Sequence, residues 1–324
     1  MLRKTVIAAA TLLSLAGAMI MADAADYPSR PITLVVGFPP GGASDILARI
    51  VGNKLSSLLG QPVVIDNRPG AGGNVAGEVV AHATPDGYTL LLGNNAILAT
   101  NASLYKNVGF DAEKDFAPIT LIGTQANVLV VNLDLPAHSL AELIALAKAR
   151  PGKLNFASSG YGLAAHLAGE LFKTEAHIDI VHVPYKGSAP ALQDVIAGQD
   201  QMMFATTSGA MGVIKGGQVR PLAVTTLKRT ASLPDIATID ELAIKGFDAT
   251  TWHGLMAPAG TPQPIIETLH RASVEALNDP GVRHSLDELG VDIVGDTPEQ
   301  FGAYIKSEIP KWAAVIKASG AKLE

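Results

Sequence analysis

The feature that most constrains the fold is a pattern that occurs twice: an apolar run, a glycine-containing loop, and a segment with helical periodicity. The first copy has the run Ile32–Val36 followed by FPPGGASD at 38–45, and the second has a run at 154–156 followed by ASSGYG at 157–162. The first turn of a helix carries unpaired backbone N–H groups and a partial positive charge, which attract anions. Two such helix starts in separate halves of one chain predict a clamp for a molecule with one or two carboxylates.

The rest of the chain alternates between strand and helix patterns, which favours an α/β fold with largely parallel sheets. Further strands are expected at 62–65, 89–92, 127–131, 180–183, 202–204 and 221–225. Further helices are expected near 75–82, 139–150, 163–173 and 190–197, and three more in the tail begin near 261, 280 and 297. Because the strand–loop–helix unit recurs, we expect two α/β lobes. Lobe 1 takes residues 25–124 and 250–324, and lobe 2 takes residues 125–249. Small ligands are expected in the cleft between them, at the carboxyl ends of the strands.

The first residues have the pattern of a secretory signal peptide. Arg3 and Lys4 precede an uncharged, mostly apolar run at 5–21, and ADA at 22–24 is a small-x-small cleavage pattern. We expect export with cleavage near Ala24, and an uncleaved N-terminal anchor is the alternative. The sequence contains no cysteine, which excludes disulfides, thiol catalysis and thiolate metal sites.

The charge of the chain and the motifs that it lacks argue against several classes of function. The formal net charge is −6, and no basic run is present, which argues against nucleic acid as a partner. The sequence has no P-loop, nucleophile elbow or H-E-x-x-H motif. His177 and His182 flank a strand without a third ligand nearby, so neither a metal nor a cofactor is predicted. An enzyme with His166 or His182 as base is the rival class, but no nucleophile, base and orienting group occur together.

Seven motifs resemble one known family along the mature chain. They are YPSRPI (27–32), FPPGG (38–42) with Asp45, NRPGAGGN (67–74), PDGYTL (85–90), HLAGELF (166–172), VHVPYKGS (181–188) and LMAPAGTP (255–262). In this order they resemble the substrate-binding proteins of tripartite tricarboxylate transporters, also called Bordetella uptake gene receptors. The resemblance implies a monomeric periplasmic binding protein with a type II-like, two-lobed α/β fold, which has no enzymatic activity and needs no metal. Such a receptor closes on a small carboxylate and delivers it to membrane permease subunits. A receptor that feeds a sensor kinase is the alternative.

The residues of the first loop and of the neighbouring strand end are candidates for one half of the site. The amides of Gly41, Gly42 and Ala43 would bind one carboxylate, and the loop also contributes Phe38 and Pro40. The alternative is an ordinary turn in which Ser44 or Asp45 caps the helix. Asn94 and Asn95 follow the strand at 89–92 and would bind polar ligand groups, although asparagine is also common in turns.

The resemblance implies that the second loop supplies the other carboxylate contact, through the hydroxyls of Ser158 and Ser159 and the amide of Gly160. His166 would donate from the next helix, although a lone helical histidine is more often packed or exposed. Further donors are expected at 186–188 from the charge of Lys186 and from the backbone and hydroxyl groups of Gly187 and Ser188.

One position departs from the family pattern. Many relatives carry Asp after the phenylalanine that corresponds to Phe204, where this chain has Ala205 followed by Thr206, Thr207 and Ser208. Without that acid, a buried ligand ammonium would have no partner, which is costly. The expected ligand is therefore a di- or tricarboxylate without an ammonium group, or an aromatic carboxylate.

Overall fold

The structure is a computed structural model that describes residues 27–185 and 187–321. The proposed signal peptide and Lys186 lie outside the described residues. Two separate β-sheets with helices packed on them form the two-lobed α/β architecture that the sequence predicted.

Sheet 1 has six strands in the spatial order β11-β4-β10-β3-β1-β2. Its strands are β1 (Ile32–Val36), β2 (Val63–Asn67), β3 (Thr89–Asn94), β4 (Phe116–Gln125), β10 (Thr251–Pro258) and β11 (Val291–Ile293). The sequence analysis did not predict β4, β10 or β11. Strands β4 and β10 are mixed with Gly, Pro and Thr, and they are strands because each lies between two other strands of the sheet.

Sheet 2 has five strands in the order β7-β6-β8-β5-β9. They are β5 (Asn127–Val131), β6 (Asn155–Ser158), β7 (Val181–Pro184), β8 (Met202–Thr206) and β9 (Arg220–Val224). All of them were predicted from apolar runs, with bounds shifted by up to two residues. The two sheets divide the chain near 126 and 250. The proposed lobe boundaries at 124/125 and 249/250 stay a prediction.

The described residues form eleven helices. They are α1 (Ala43–Leu59), α2 (Asn74–Ala81), α3 (Asn101–Leu104), α4 (Leu140–Ala149), α5 (Ala164–Glu175), α6 (Ser188–Ile196), α7 (Thr207–Lys215), α8 (Ile239–Leu242), α9 (Gln263–Asn278), α10 (Pro280–Glu288) and α11 (Pro298–Ser319). Eight of them lie close to their predicted positions, and α3, α7 and α8 were not predicted. Helices α3 and α8 have only four residues each, and the α7 sequence TSGAMGVIK has two glycines and no strong helical period. A 3₁₀ turn at Ala71–Gly73 and a π-helical turn at Ala96–Thr100 complete the described elements.

The strand registers bring one edge of each sheet together. In sheet 1, β1, β2 and β3 are parallel, and β4 ends at the edge where they end, because β10 is antiparallel to both β3 and β4. In sheet 2, β6, β7 and β8 are parallel, and β5 begins where β8 ends, with Asn127 opposite Thr206. Only Ala126 separates β4 from β5, so the edges at which the parallel strands end meet at this residue. We call them the inner edges.

The chain passes from sheet 1 to sheet 2 at Ala126, between β4 and β5, and returns between β9 and β10. The returning segment lies beside the first. Asn127 Nδ2 donates to the carbonyl of Ala249 at 3.0 Å, and Thr225 Oγ1 donates to the same carbonyl at 2.9 Å. The backbone N–H of Thr207 donates to the carbonyl of Ala126 at 3.1 Å. The two passages are therefore hydrogen-bonded to each other, next to the start of α7.

A single apolar core extends from sheet 1 to sheet 2 through the C-terminal helix α11. Trp312 and Phe301 of this helix are buried in the same cluster as Leu91 of sheet 1 and Phe204 of sheet 2. A separate cluster packs α1 and α9 on sheet 1. Beside these cores, the loops after β1, β6 and β7 are exposed at residues 39–43, 161 and 188.

Candidate functional site

The first loop turns sharply into α1. Gly42 is the N-cap residue, with an extended backbone and no capping side chain, so the alternative that Ser44 or Asp45 caps this helix is wrong. The Asp45 carboxylate instead accepts hydrogen bonds from the Gly41 N–H at 2.9 Å, from Arg49 Nε at 3.0 Å and from Asn67 Nδ2 at 3.0 Å. The Arg49 hydrogen bond, assisted by the other two, lowers the pKa of Asp45 to about 2.

This arrangement corrects part of the predicted donor set. The Gly41 amide is taken by Asp45, and the Gly42 N–H donates to the Pro39 carbonyl at 3.3 Å. Both amides therefore stabilise the loop rather than face a ligand in this conformation. Within the described residues, the N–H groups of Ala43 and Ser44 form no hydrogen bond. Because Ala43 is exposed, its amide is the predicted donor that remains available at the start of α1.

The other sheet 1 candidates have structural contacts. Asn94 is buried, and its Oδ1 accepts from the Ile97 N–H at 3.1 Å, which holds the start of the π-helical turn. Asn95 is also buried. Phe38 is half-buried, its carbonyl accepts from Asn67 Nδ2 at 2.9 Å, and Pro40 is exposed.

A residue that the sequence analysis missed lies beneath the start of α1. His253, on β10 directly opposite Asn94, is buried, and its Nε2 is 2.8 Å from the Ser44 hydroxyl. Burial lowers the pKa of His253 to about 4, so the imidazole is neutral at pH 7. Only the strand order places His253 here, because β10 is far from α1 in the sequence and was not predicted as a strand.

A small cavity joins the two lobes at this position. Its volume is about 40 Å³, and it lies between Ala43 and Leu47 of α1, His253 of β10 and Ser208 of α7. Gln125 crosses it, since its Nε2 lies 3.1 Å from the Ser208 hydroxyl and 2.6 Å from the Leu289 carbonyl. The starts of α1 and α7, which belong to different sheets, therefore meet at one site.

The second loop is held by its own serine. Ser158 is fully buried, and its hydroxyl is 2.6 Å from His182 Nε2 and accepts from the Gly160 N–H at 3.1 Å. The Ser158 hydroxyl and the Gly160 amide, both predicted to bind the ligand, are thus occupied within lobe 2 in this conformation. Ser159 is half-buried, and its carbonyl accepts from the Gly187 N–H at 3.1 Å. The Gly187 amide is therefore occupied as well.

His166 is packed inside lobe 2, which is the alternative that the sequence left open. Its Nδ1 accepts from the Gly162 N–H at 3.0 Å, and its ring stacks on His182 with centroids 4.0 Å apart. Burial lowers the pKa of His166 to about 4. Burial, followed by the charge of His166, lowers the pKa of His182 to about 3. Both rings are neutral at pH 7 and support the loop from below.

The third segment begins helix α6. Gly187 precedes it with a φ of +117°, a conformation that L side chains rarely adopt, so this turn requires glycine. Ser188 is the first helical residue and is exposed. Its amide and hydroxyl thus lie at the inner edge of sheet 2, consistent with the predicted position of a donor.

Ala205 does not face an open site. It is buried, pairs with Val128 and packs among apolar residues of lobe 2. The inference drawn from the missing acid is therefore not supported, because a carboxylate at this position would be placed in an apolar cluster rather than beside a ligand. The neighbouring Thr206 instead caps α7, with its hydroxyl accepting from the Gly209 N–H at 3.3 Å.

The helices that follow parallel strands at the inner edges have few acidic residues in their first turns. Helices α2, α5, α6 and α7 have none there, whereas α8, which begins beside the end of β9, has Asp240 and Glu241. The acid at the start of α1 is Asp45, whose charge is paired with Arg49. The positive ends of these helix dipoles are therefore left uncompensated and can attract an anion.

The described residues contain no cluster of three or more His, Asp or Glu side chains that could hold a metal, and no helix among them is long and apolar enough to cross a membrane.

Two α/β lobes with helix starts along their facing edges define a solute-binding receptor of the periplasmic type. The chain belongs to the tripartite tricarboxylate transporter family receptors, since the TctC family model matches residues 47–321. It is 39% identical to the protein BugT of Bordetella pertussis over 96% of both chains. A UPF0065 protein from the tcbD-tcbE intergenic region of Pseudomonas sp. strain P51 is 41% identical over 90% of this chain and 86% of its own length.

Solved structures show the same fold. A protein of R. palustris, solved with adipate, is 38% identical and superposes with a TM-score of 0.77, covering 92% of this chain and 100% of its own. The protein MatC of Rhodopseudomonas palustris, solved with bound malate, is 32% identical with a TM-score of 0.73, covering 90% and 100%. These likenesses confirm the predicted family and the two-lobed fold.

Proposed function

We propose that this chain is an exported, periplasmic receptor that captures a small di- or tricarboxylate, or an aromatic carboxylate, between its two lobes. It would deliver the ligand to the membrane subunits of a tripartite tricarboxylate transporter. The observation that carries the proposal is that α1, α5, α6 and α7 begin where parallel strands end at the inner edges, and that their first turns hold no acidic residue apart from the paired Asp45. The relatives solved with adipate and malate support a carboxylate as the ligand class.

The amides that would bind the carboxylates are those at the first positions of the helices. Ala43 of α1 and Ala164 of α5 follow N-cap residues with extended backbones, and neither N–H forms a hydrogen bond within the described residues. One helix belongs to each sheet. A ligand that bridges them favours the closed arrangement of the lobes, because only the closed arrangement offers both sets of donors.

Closure would occur at the paired passages around Ala126 and Ala249. These two segments are short, lie side by side and are the connections through which the chain passes from one sheet to the other. A rotation there would move the sheets as rigid bodies and bring the inner edges together.

The test removes one amide at a time without disturbing the helix. Proline is favoured at the first helical position, and an extended preceding residue accommodates it. Ala43→Pro and Ala164→Pro therefore delete one N–H in each lobe, while Ala43→Gly and Ala164→Gly retain it as matched controls. Because a hydrogen bond to a charged group contributes about 1.5–3 kcal/mol, each proline should weaken binding roughly 10- to 100-fold.

Binding is measured by titration calorimetry against mono-, di- and tricarboxylates, with thermal melting to verify folding. Unchanged affinity in both proline variants would refute the two-lobe clamp. Failure of every carboxylate to bind would refute the ligand class.

The downstream partner requires a separate measurement. The expectation is that reconstituted permease subunits take up the ligand only in the presence of this receptor. A receptor that instead activates a sensor kinase is the second candidate, and ligand-dependent phosphorylation without transport would favour it. Turnover of the bound carboxylate would show that the chain is an enzyme and would overturn the proposal.

A further inference from the structure

Two apolar side chains of the second loop have no packing partner that covers them. Tyr161 is 54% exposed and Leu163 is 41% exposed, and both follow β6 at the inner edge of sheet 2. On the opposite inner edge, Ile46 in the first turn of α1 is 38% exposed. Single exposed apolar residues are common on protein surfaces. Here, however, they lie on both sides of the cleft, directly beside the helix starts that would bind a carboxylate.

The Tyr161 ring is held in place from inside the lobe. It makes an edge contact with His182 at a centroid distance of 4.9 Å and another with His166 at 5.3 Å. The adjacent amides of Gly160 and Gly162 are fixed by Ser158 and His166. The ring is therefore anchored on a supported loop, and its exposed surface is available to a ligand.

Several polar groups of this loop are already bonded within lobe 2: the Ser158 hydroxyl and the amides of Gly160 and Gly162. The hydroxyls of Ser159 and Tyr161 form no hydrogen bond with the described residues. A ligand hydroxyl placed against the face of the Tyr161 ring and the Leu163 side chain would lose water without gaining a hydrogen bond there, which costs free energy. A methylene chain or an aromatic ring would bury apolar surface there instead.

We propose that Tyr161 and Leu163 form an apolar wall of the cleft, and that this receptor selects carboxylates whose body is a hydrocarbon over short hydroxylated dicarboxylates. This inference rests on the proposed function, since the carboxylate ends would bind to the helix starts. The wall would contact the segment between two carboxylates, or the ring of an aromatic acid.

Adipate and malate are the test ligands, because adipate has four methylenes between its carboxylates and malate has a hydroxylated two-carbon spacer. Titration calorimetry with the mature chain should give at least tenfold tighter binding of adipate, about 1.4 kcal/mol. Tyr161→Ala should weaken adipate binding about tenfold and malate binding less than threefold, and Tyr161→Phe should restore the adipate affinity. Leu163→Ala should act in the same direction.

Leu133→Ala is the matched control for the leucine. Leu133 is 43% exposed and follows the end of β5, which is at the edge of sheet 2 away from the cleft, so its truncation should leave both affinities unchanged. Thermal melting of each variant verifies that the fold is retained.

The outcomes separate this inference from the function on which it rests. Malate binding as tight as adipate binding would overturn the apolar wall and leave the receptor function intact. Equal weakening of both ligands by Tyr161→Ala would also overturn it, because the ring would then pack against lobe 1 on closure rather than against the ligand. If neither adipate nor an aromatic carboxylate binds but a hydroxylated carboxylate does, the wall is refuted and the receptor function stands.

Discussion

The stacked histidines in lobe 2, which stay neutral in the folded protein, should make it less stable in mild acid. His182 is the clearer case, because its Nδ1 is buried without a hydrogen-bond partner among the described residues and its Nε2 contacts Ser158. Burial and the neighbouring His166 lower its pKa from 6.5 to about 3. The imidazole is therefore neutral in the folded protein throughout the range in which it becomes charged in the unfolded chain.

The sign and size of the effect follow from this difference. As the pH falls below 6.5, the unfolded chain binds a proton at His182 that the folded protein does not bind, so unfolding becomes more favourable. Each unit of difference between the unfolded-state and folded-state pKa corresponds to about 1.36 kcal/mol of free energy. Between about pH 7 and about pH 5, His182 alone should remove about 2 kcal/mol from the free energy of unfolding, and the loss should end near the folded pKa.

The assay is urea unfolding at both pH values for the wild type, His182→Gln and the control His284→Gln. His284 is on the surface, with 76% of its side chain exposed. The wild type and the control should lose about 2 kcal/mol more than His182→Gln between the two pH values, which cancels any constant loss caused by the substitution. Equal pH dependence in all three proteins would refute the reasoning, since the buried imidazole would then titrate as it does in the unfolded chain.

Three further predictions concern packing, the first loop and the contact between the lobes. Gly254→Ala would place a methyl group in steric conflict with the Phe301 ring, so thermal melting should show a loss of about 1–3 kcal/mol in the free energy of unfolding. Asp45→Asn removes a carboxylate with a lowered pKa, whose stabilisation is present above pH 3.8 and is lost as the pH falls towards about 2. Urea unfolding near pH 7 should therefore show a loss of about 1–2 kcal/mol that shrinks below about pH 4, whereas a loss independent of pH would contradict the argument. Gln125→Ala removes the hydrogen bonds to the Ser208 hydroxyl at 3.1 Å and to the Leu289 carbonyl at 2.6 Å, so it should cost about 1 kcal/mol and speed amide exchange at residues 287–290.

The sequence alone was sufficient to predict the strands and helices whose short-range patterns, such as β-branched runs and capping residues, agree with their place in the folded protein. Strand β1 is a run of β-branched residues interrupted only by Leu34, and Thr297 and Gln300, spaced three residues apart, form a capping box at the start of α11. At α4 the same pattern is only half satisfied. Ser139 caps the helix, but the Glu142 side chain bonds to the His138 N–H rather than to the N-cap residue. Motifs of this kind act over a few residues, so a single sequence reveals them.

The donor assignment within the loops could not be read from the sequence. Glycine and serine at 41–42 and 158–160 indicate groups able to bind an anion, but they do not show which groups are already bonded. Asp45 takes the Gly41 amide, and His182 with Ser158 takes the Gly160 amide. These partners depend on side-chain rotamers and on the close approach of β6 and β7, which only the folded chain determines.

The sequence by itself determined the alternation of strands and helices, the family and the position of the two glycine loops, because each depends on neighbouring residues along the chain. The tertiary structure alone decided that the inner edges meet at Ala126, that His253 lies beneath Ser44, and that Tyr161 is supported by two neutral histidines. Those three relations join residues that are distant in sequence. They depend on the strand order of mixed sheets and on which polar groups become buried, and no local sequence pattern encodes the strand order or the burial.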